Sequence, residues 1–206
     1  MRLFIDVDAL CKCAHWGILD YLPELLGFNW TDSATLSSLK YRAKRAQQTP
    51  DGKLFKTTAA ASTACITIAQ MQSNLEPDAE LLAEIDGIAG IDPGEAILFS
   101  AAAKNEDIFI LTGDKRALRA LAKLTKSKKV EKLHHKFFCI EMLILKLLDQ
   151  RGLEWVRSKI CPFKDIDKAV IVILGSRCDA DESNVRDALA AYINELNQDC
   201  INYLAL

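Results

Sequence analysis

Short apolar runs alternate with longer segments of helical periodicity along this chain of 206 residues. Runs at residues 3–5, 108–111 and 136–140 are rich in β-branched and aromatic residues, which predicts buried strands. Each run is followed by a segment whose apolar residues recur at helical spacing. Strands that alternate with helices are typical of a parallel sheet, so we expect an α/β fold.

The same periodicity predicts helices along most of the remaining chain. Gly27 and Gly152 are suited to end two of them. Segment 168–174 is ambiguous, because flanking residues resemble helix caps whereas its β-branched content favours a strand. We expect an α/β domain at 1–152 and a helical extension at 153–206 packed on it. The predicted helices span residues 9–27, 31–46, 57–74, 79–88, 92–104, 115–124, 141–152 and 183–198.

The composition is typical of a globular protein with little overall charge. Hydrophobic residues make up 50% of the chain and charged residues 26%, as in an ordinary globular protein. The net charge is −2, so attraction to nucleic acid would have to come from a local patch. The seven cysteines form no C-x-x-C pair, which favours reduced thiols in a cytoplasmic protein over a disulfide frame or zinc site. No signal peptide or membrane span is expected.

Acidic residues stand where predicted strands end or helices begin. Asp6 follows the first strand, Asp114 the second and Glu141 the third, while Glu95 lies in the first turn of the helix that begins with Asp92-Pro93-Gly94. Helix capping alone would explain each acid taken singly. However, parallel strands carry their ligands at their carboxyl ends, so we expect Asp6, Glu95 and Asp114 to converge, with Glu141 nearby.

Converging carboxylates would repel one another and raise one another's pKa unless cations neutralise them. Mg²⁺ or Mn²⁺ is the natural occupant of such a cluster, because these ions prefer oxygen ligands and retain waters for a phosphate substrate. Asp6, Glu95, Asp114 and Glu141 are therefore candidate metal ligands, and the first three are candidate catalytic residues for phosphodiester hydrolysis.

A basic run begins directly after Asp114. It is either a solvated surface or a binding site for a phosphate backbone, and its position beside a candidate active-site acid gives weight to the second interpretation. The run extends to Lys136 and includes Lys126. The residues that we expect to contact nucleic acid are Lys115, Arg116, Arg119, Lys128, Lys129 and Lys132.

Three short motifs resemble the PIN-domain family of metal-dependent ribonucleases, in the branch with a D-x-G-E helix start. They are Leu3-Phe-Ile-Asp6, Asp92-Pro-Gly-Glu95-Ala and Phe109-Ile-Leu-Thr-Gly-Asp114-Lys-Arg-Ala, within residues 1–150. The resemblance implies an α/β/α sandwich with a central parallel sheet, Mg²⁺ or Mn²⁺, and cleavage of single-stranded RNA. Many members are toxins of toxin–antitoxin pairs, so an antitoxin protein and a homodimer are candidate partners.

The chain departs from that family at two points. It has no acid from Ala34 to Ala46, where the family usually places one, and Asp8 stands where Ser or Thr is commoner. Glu141 is the candidate replacement for the absent ligand. If it does not serve, a non-catalytic PIN-like binding or regulatory protein is the alternative.

A second alternative is a haloacid-dehalogenase-type phosphatase, because Asp6-x-Asp8 after a strand resembles its nucleophile and acid/base pair. Leu118 stands where that family needs a later acid.

Overall fold

A three-stranded parallel sheet lies at the centre of the fold in the part of the chain that is described. The computed structural model describes residues 1–72, 74–125 and 127–206. The strands β1 (Arg2–Ile5), β2 (Ile108–Thr112) and β3 (Phe137–Cys139) are ordered β1-β2-β3, with Ile5 opposite Leu111 and Thr112 opposite Cys139. Single bridges place Ala34 beside Phe4 on one side of the sheet and Leu204 beside Phe137 on the other.

Helices flank this sheet, so the predicted α/β class is confirmed. Apolar side chains of the strands and helices form one buried cluster that extends from Leu3 to Leu204. The helices are α1 (Val7–His15), α2 (Leu22–Leu26), α3 (Ser37–Ala46), α4 (Thr58–Ile68), α5 (Ala79–Ile85), α6 (Pro93–Ala102), α7 (Lys115–Ala122), α8 (Ile140–Arg151), α9 (Leu153–Ile160), α10 (Lys168–Leu174) and α11 (Glu182–Asp199).

Acidic caps set the positions of several helix starts. Asp6 caps α1 and Asp114 caps α7, each directly after a strand and its short turn. Asp92 and Glu95 form a capping box at the start of α6, with Pro93 in the first turn. Side-chain oxygens at these positions satisfy backbone N–H groups that have no partner inside the helix. The caps therefore fix where the acids lie relative to the strand ends.

The predicted helix at 9–27 is wrong as a single element. The chain breaks after α1, where Gly17 adopts φ +62°, and resumes through a 3₁₀ turn at Leu19–Tyr21 into α2. A positive φ is readily adopted by glycine and cannot continue a right-handed helix. Gly27, at φ +70°, ends α2 as predicted.

Two further helices begin or end differently from the prediction. The segment predicted as a helix at 31–46 forms a 3₁₀ turn at Trp30–Asp32 and the bridge at Ala34 before α3 begins. The helix predicted at 57–74 ends at Ile68, and Ser73 lies outside the described residues, as does Lys126 of the basic run. In the first case Ala34 bridges Phe4 of β1, and in the second Gln72 bridges Ala34. Bridged backbone therefore replaces helix that local periodicity favours, because strand pairing is not visible to a local pattern.

Residues after 152 pack on the sheet domain, mostly as helices. The ambiguous segment 168–174 is the helix α10, because the Asp167 side chain accepts hydrogen bonds from the backbone N–H groups of Ala169 and Val170. The Trp16 indole donates to the Phe163 carbonyl at 3.3 Å, which joins this region to the end of α1.

The expectation that all cysteines are free thiols is wrong. Cys161 and Cys178 form a disulfide, with their Cα atoms 6.2 Å apart. The fold brings them together because α10 returns the chain toward the end of α9, a closure that sequence spacing does not reveal. The other five cysteines are free, and all of them except the half-buried Cys65 are buried.

Among the described residues, no helix combines the length and the apolar character needed to cross a bilayer.

Candidate active site at the carboxyl edge of the sheet

The acids predicted at strand ends and at the start of α6 line one cavity. Asp6 leaves β1, Asp114 follows β2 and Glu141 follows β3, and the sheet is parallel, so all three lie at its carboxyl edge. Glu95 joins them from α6. The cavity has a volume of about 590 Å³, and the carboxylates that line it are Asp6, Asp8, Asp92, Glu95, Asp114, Glu141 and Asp167.

Asp6 is the most strongly perturbed acid of the cavity. Its residue is 6% exposed, and one carboxylate oxygen accepts a hydrogen bond from the Val7 backbone N–H at 2.7 Å. Burial raises the pKa of Asp6 to about 7, and the negative charges of Asp8, Asp92 and Asp114 add to the increase. At neutral pH without a cation, this carboxyl is therefore close to half protonated.

Glu95 is perturbed in the same direction. The residue is 5% exposed, and its carboxylate accepts from the Asp92 backbone N–H at 2.8 Å, while the Glu95 N–H donates to Asp92 Oδ1 at 2.8 Å. Burial raises the pKa of Glu95 to about 7, with further contributions from Asp114, Asp92 and Asp6. The charge of Asp6 thus acts on Glu95 across the cavity.

Asp114 and Glu141 differ from these two because each has a cationic partner. Asp114 Oδ2 lies 2.7 Å from Arg116 Nη2. Burial works to raise the pKa of Asp114, but the hydrogen bonds from Arg116 and Ala117 outweigh it and hold the pKa below its usual value. Glu141, 3% exposed, lies 2.5 Å from Lys115 Nζ.

A lysine also lines the acidic cavity, and the sequence analysis did not predict its presence there. Lys12 Nζ lies 2.6 Å from Asp8 Oδ2 and 2.7 Å from Asp167 Oδ2, so α1 and the start of α10 are joined by one ammonium group. Burial alone would lower the pKa of Lys12, but the two carboxylates raise it above its ordinary value. From the sequence, Asp167 is predicted only as one of the helix caps that flank segment 168–174. No local signal links it to Lys12, because the two are far apart in sequence.

Gly113 allows this approach of α1 to the turn after β2. A Cβ atom at Gly113 would lie 2.5 Å from Asp8 Oδ2 and 3.1 Å from Lys12 Nζ. The Thr-Gly-Asp sequence therefore has a packing role beside its capping role, since any side chain at 113 would displace the pair.

The oxygen donors of these acids suit a hard divalent cation, but their side chains are not arranged around a single ion position. Oxygen donors with raised pKa values are suited to Mg²⁺ or Mn²⁺. Among the described residues, however, no three His, Cys, Asp or Glu side chains are arranged to hold one ion. Asp6 and Glu95 are bound by caps, and Asp114 and Glu141 by ion pairs. A cation would have to compete with those partners.

In the structure, the residues of the predicted basic run lie in two separate regions. Lys115 and Arg116 line the cavity, each paired with an acid, and Arg119 binds Glu195 and Asp199 of α11.

The rest of the run leads from α7 back to the start of β3, at the opposite, amino edge of the sheet. Lys129 pairs with Glu80, whereas Lys128 and Lys132 are exposed. None of these three lines the cavity, so the structure does not bring them together with the acids. Their predicted role in nucleic-acid binding stays a prediction.

Comparisons with known proteins add no family to this description. No protein-family model, no curated protein and no solved structure matches the chain.

Proposed function

We propose that the protein is a Mg²⁺- or Mn²⁺-dependent endoribonuclease that cleaves single-stranded RNA, with a PIN-like α/β/α arrangement. The observation that carries the proposal is the convergence of Asp6, Glu95 and Asp114, with Glu141, around one cavity at the carboxyl edge of a parallel sheet. Carboxylates whose pKa values are raised by burial and by neighbouring negative charges are characteristic of functional sites. The three motifs that resemble the PIN family contain the first three of these acids.

In this proposal the four acids would hold the cation. When bound, it would generate the attacking hydroxide and stabilise the charge that develops on the phosphate. Asp6 and Glu95, buried and without a cationic partner among the described residues, would be the principal ligands. Asp114 would complete the set from the turn after β2 once Arg116 moves away. Arg116 is 83% exposed at its side chain, so it is free to rotate toward a substrate phosphate.

RNA cleavage tests the proposal directly. The wild type should cleave single-stranded RNA with Mn²⁺ or Mg²⁺ and lose this activity in EDTA. Asp114→Asn keeps the shape and the helix cap but removes the charge, so activity should fall by at least about 10²-fold, in the range typical for loss of a catalytic group. Absence of metal-dependent cleavage across varied RNA substrates would contradict the proposal.

Glu141→Gln then defines the ligand set. A loss as large as that of Asp114→Asn would make Glu141 the substitute for the acid that α3 lacks. A near-silent Glu141→Gln in an active enzyme would assign that position to Asp8 or Asp92 instead. Circular dichroism of both variants controls for folding.

A non-catalytic binding protein on the same fold is the second candidate. It is favoured by the partners that the acids already have, since Lys115 neutralises Glu141 and Lys12 neutralises Asp8 and Asp167. In that case the acids stabilise the domain and Mn²⁺ should not bind. A phosphatase of the haloacid-dehalogenase type has no such support, because Leu118 is buried and apolar where its later acid would stand.

The partners implied by the PIN resemblance are carried over as proposals only. They are an antitoxin protein, with this chain as the toxin, and a second copy of the chain in a homodimer. A cytoplasmic location is proposed from the cysteine pattern, because five of the seven cysteines are free thiols.

A further inference from the structure

The exposed face of α3 is basic and carries an exposed aromatic ring. Leu39, Ala43 and Ala46 face the core, whereas Lys40, Tyr41, Lys44 and Arg45 are exposed. The tyrosine is 72% exposed. Helical spacing places it in the middle of the exposed arc, with a basic residue on either side.

This face is not neutralised by neighbouring acids. Within residues 1–72, 74–125 and 127–206, no carboxylate lies within salt-bridge distance of Lys40, Lys44 or Arg45. Only Arg42 has such a partner, Asp51, at 3.5 Å. In a chain of net charge −2, a helix with four basic residues and no acid is a local positive surface.

A groove beside Tyr41 is lined by a residue whose buried hydroxyl has no partner among the described residues. It has a volume of about 270 Å³ and lies between the start of α3 and the chain that follows α4, lined by Thr35, Lys40, Tyr41 and Gln72 among others. Thr35 is 4% exposed, and its hydroxyl has no hydrogen-bond partner among the described residues. A buried hydroxyl without a partner is unfavourable unless a ligand supplies one.

Helix α3 and the residue before it contribute to both the groove and the acidic cavity. Leu36 lines the groove and also packs on the start of α6, where a Cβ atom at Gly94 would lie 2.5 Å from Leu36 Cδ1. Arg42, further along α3, lines the cavity itself. A strand that lies along α3 would therefore be adjacent to the carboxylates.

We infer that α3 binds single-stranded nucleic acid adjacent to the carboxylate cavity. Lys40, Lys44 and Arg45 bind the phosphates, Tyr41 stacks on a base, and Thr35 donates a hydrogen bond in the groove. Stacking on an aromatic ring beside cationic side chains is how proteins hold unpaired strands. The inference rests on the proposed nuclease function, for which it names the path of the substrate outside the site of cleavage.

Fluorescence anisotropy of a labelled oligouridylate, measured in EDTA, tests binding without cleavage. The variant K40Q/K44Q/R45Q should weaken binding by at least tenfold, and the slope of log K against log salt should fall in magnitude by about 2, as expected for three lost contacts with a single strand. The matched control is K104Q/K146Q/R177Q, which removes the same charge from exposed positions outside α3 and outside the basic run. It should bind like the wild type.

Two substitutions separate specific contacts from charge alone. Tyr41→Ala should weaken binding by roughly fivefold or more, whereas Tyr41→Phe should retain it, because the stacking ring is kept. Thr35→Val keeps the shape of a side chain whose hydroxyl has no partner, so the fold should be no less stable while RNA binding weakens. A merely structural role for Thr35 would leave RNA binding unchanged and overturn its assignment.

Three results would overturn the inference as a whole. They are no RNA binding by the wild type, equal loss in the α3 variant and the control, or binding of labelled polyglutamate as tight as that of RNA, which would indicate a general anion surface. Binding that depends on α3 in a protein that never cleaves RNA would instead refute only the proposed nuclease function.

Discussion

Asp6 gives the sharpest test of the cavity's electrostatics, because its replacement should stabilise the protein. Burial and neighbouring carboxylates raise its pKa from 3.8 to about 7. Each pKa unit is worth about 1.4 kcal/mol, so this increase in pKa corresponds to a free energy of at most ~4 kcal/mol. This is the free energy that ionising Asp6 costs the folded state relative to the unfolded chain.

The sign follows from proton binding. Between pH 4 and pH 7 the folded state keeps a proton on Asp6 that the unfolded chain has lost, so the free energy of unfolding falls as pH rises through this window. Above pH 7 both states are ionised and the decrease stops. Asp6→Asn cannot ionise. Relative to the wild type, its free energy of unfolding should therefore increase by roughly 2.5 kcal/mol between pH 5 and pH 8, because part of the total effect of ~4 kcal/mol is already lost by pH 5.

Urea unfolding of both proteins in EDTA at pH 5, 6, 7 and 8 measures this difference in the free energy of unfolding. Groups that titrate alike in both proteins make no contribution to the difference. Asp167→Asn is the matched control, because the pKa of Asp167 is held below its usual value and its charge does not contribute to the raised pKa of Asp6 or Glu95. The ionised form of Asp167 stabilises the fold, so Asp167→Asn should be less stable than the wild type by the same amount at all four pH values. A wild type minus Asp6→Asn difference that does not change from pH 5 to pH 8 would refute the reasoning.

Three further predictions follow from the same geometry. Mn²⁺ affinity, measured by calorimetry, should rise with pH up to about 7 and then level off, because the protons on Asp6 and Glu95 must leave before a metal binds; affinity that is flat across this range would contradict their role as ligands. Gly113→Ala should cost roughly 1–3 kcal/mol in urea unfolding, because its Cβ would overlap a carboxylate oxygen, whereas Gly87→Ala, with open space but a positive φ, controls for backbone strain alone. Replacing Cys161 and Cys178 by Ser should lower the free energy of unfolding by about 3 kcal/mol and abolish any effect of dithiothreitol on the melting temperature.

The strands and the acids at their ends could be predicted from sequence because both leave local patterns. An apolar run followed by an acid and a helical period is visible at β1, β2 and β3. Once the strands are assumed parallel, convergence of Asp6, Asp114 and Glu141 follows without further information. Capping chemistry likewise placed the start of α6 correctly.

What sequence reasoning could not supply were contacts between distant segments. Nothing near Lys12 indicates that its ammonium also reaches Asp167, or that Cys161 meets Cys178. The basic run does not form one surface, for the same reason. Its positive charge is continuous in sequence, but helix α7 carries the chain from one edge of the sheet to the other. Extended backbone beside β1 replaced predicted helix because sheet pairing is a long-range property.

The distribution of charge within the cavity indicates where a cation is needed. Asp8, Asp114, Glu141 and Asp167 each have a basic partner within salt-bridge distance. Asp6 and Glu95 are buried and have no such partner among the described residues, and their pKa values alone are raised to about 7.

A purely structural carboxylate would be expected to acquire a partner or to remain exposed, because burying an unpaired charge is costly. Two buried acids face the same cavity, and ionisation of either one destabilises the fold, so a positive charge supplied from outside the chain would stabilise both. The proposed function assigns that charge to a divalent ion, which prefers carboxylate oxygens as ligands.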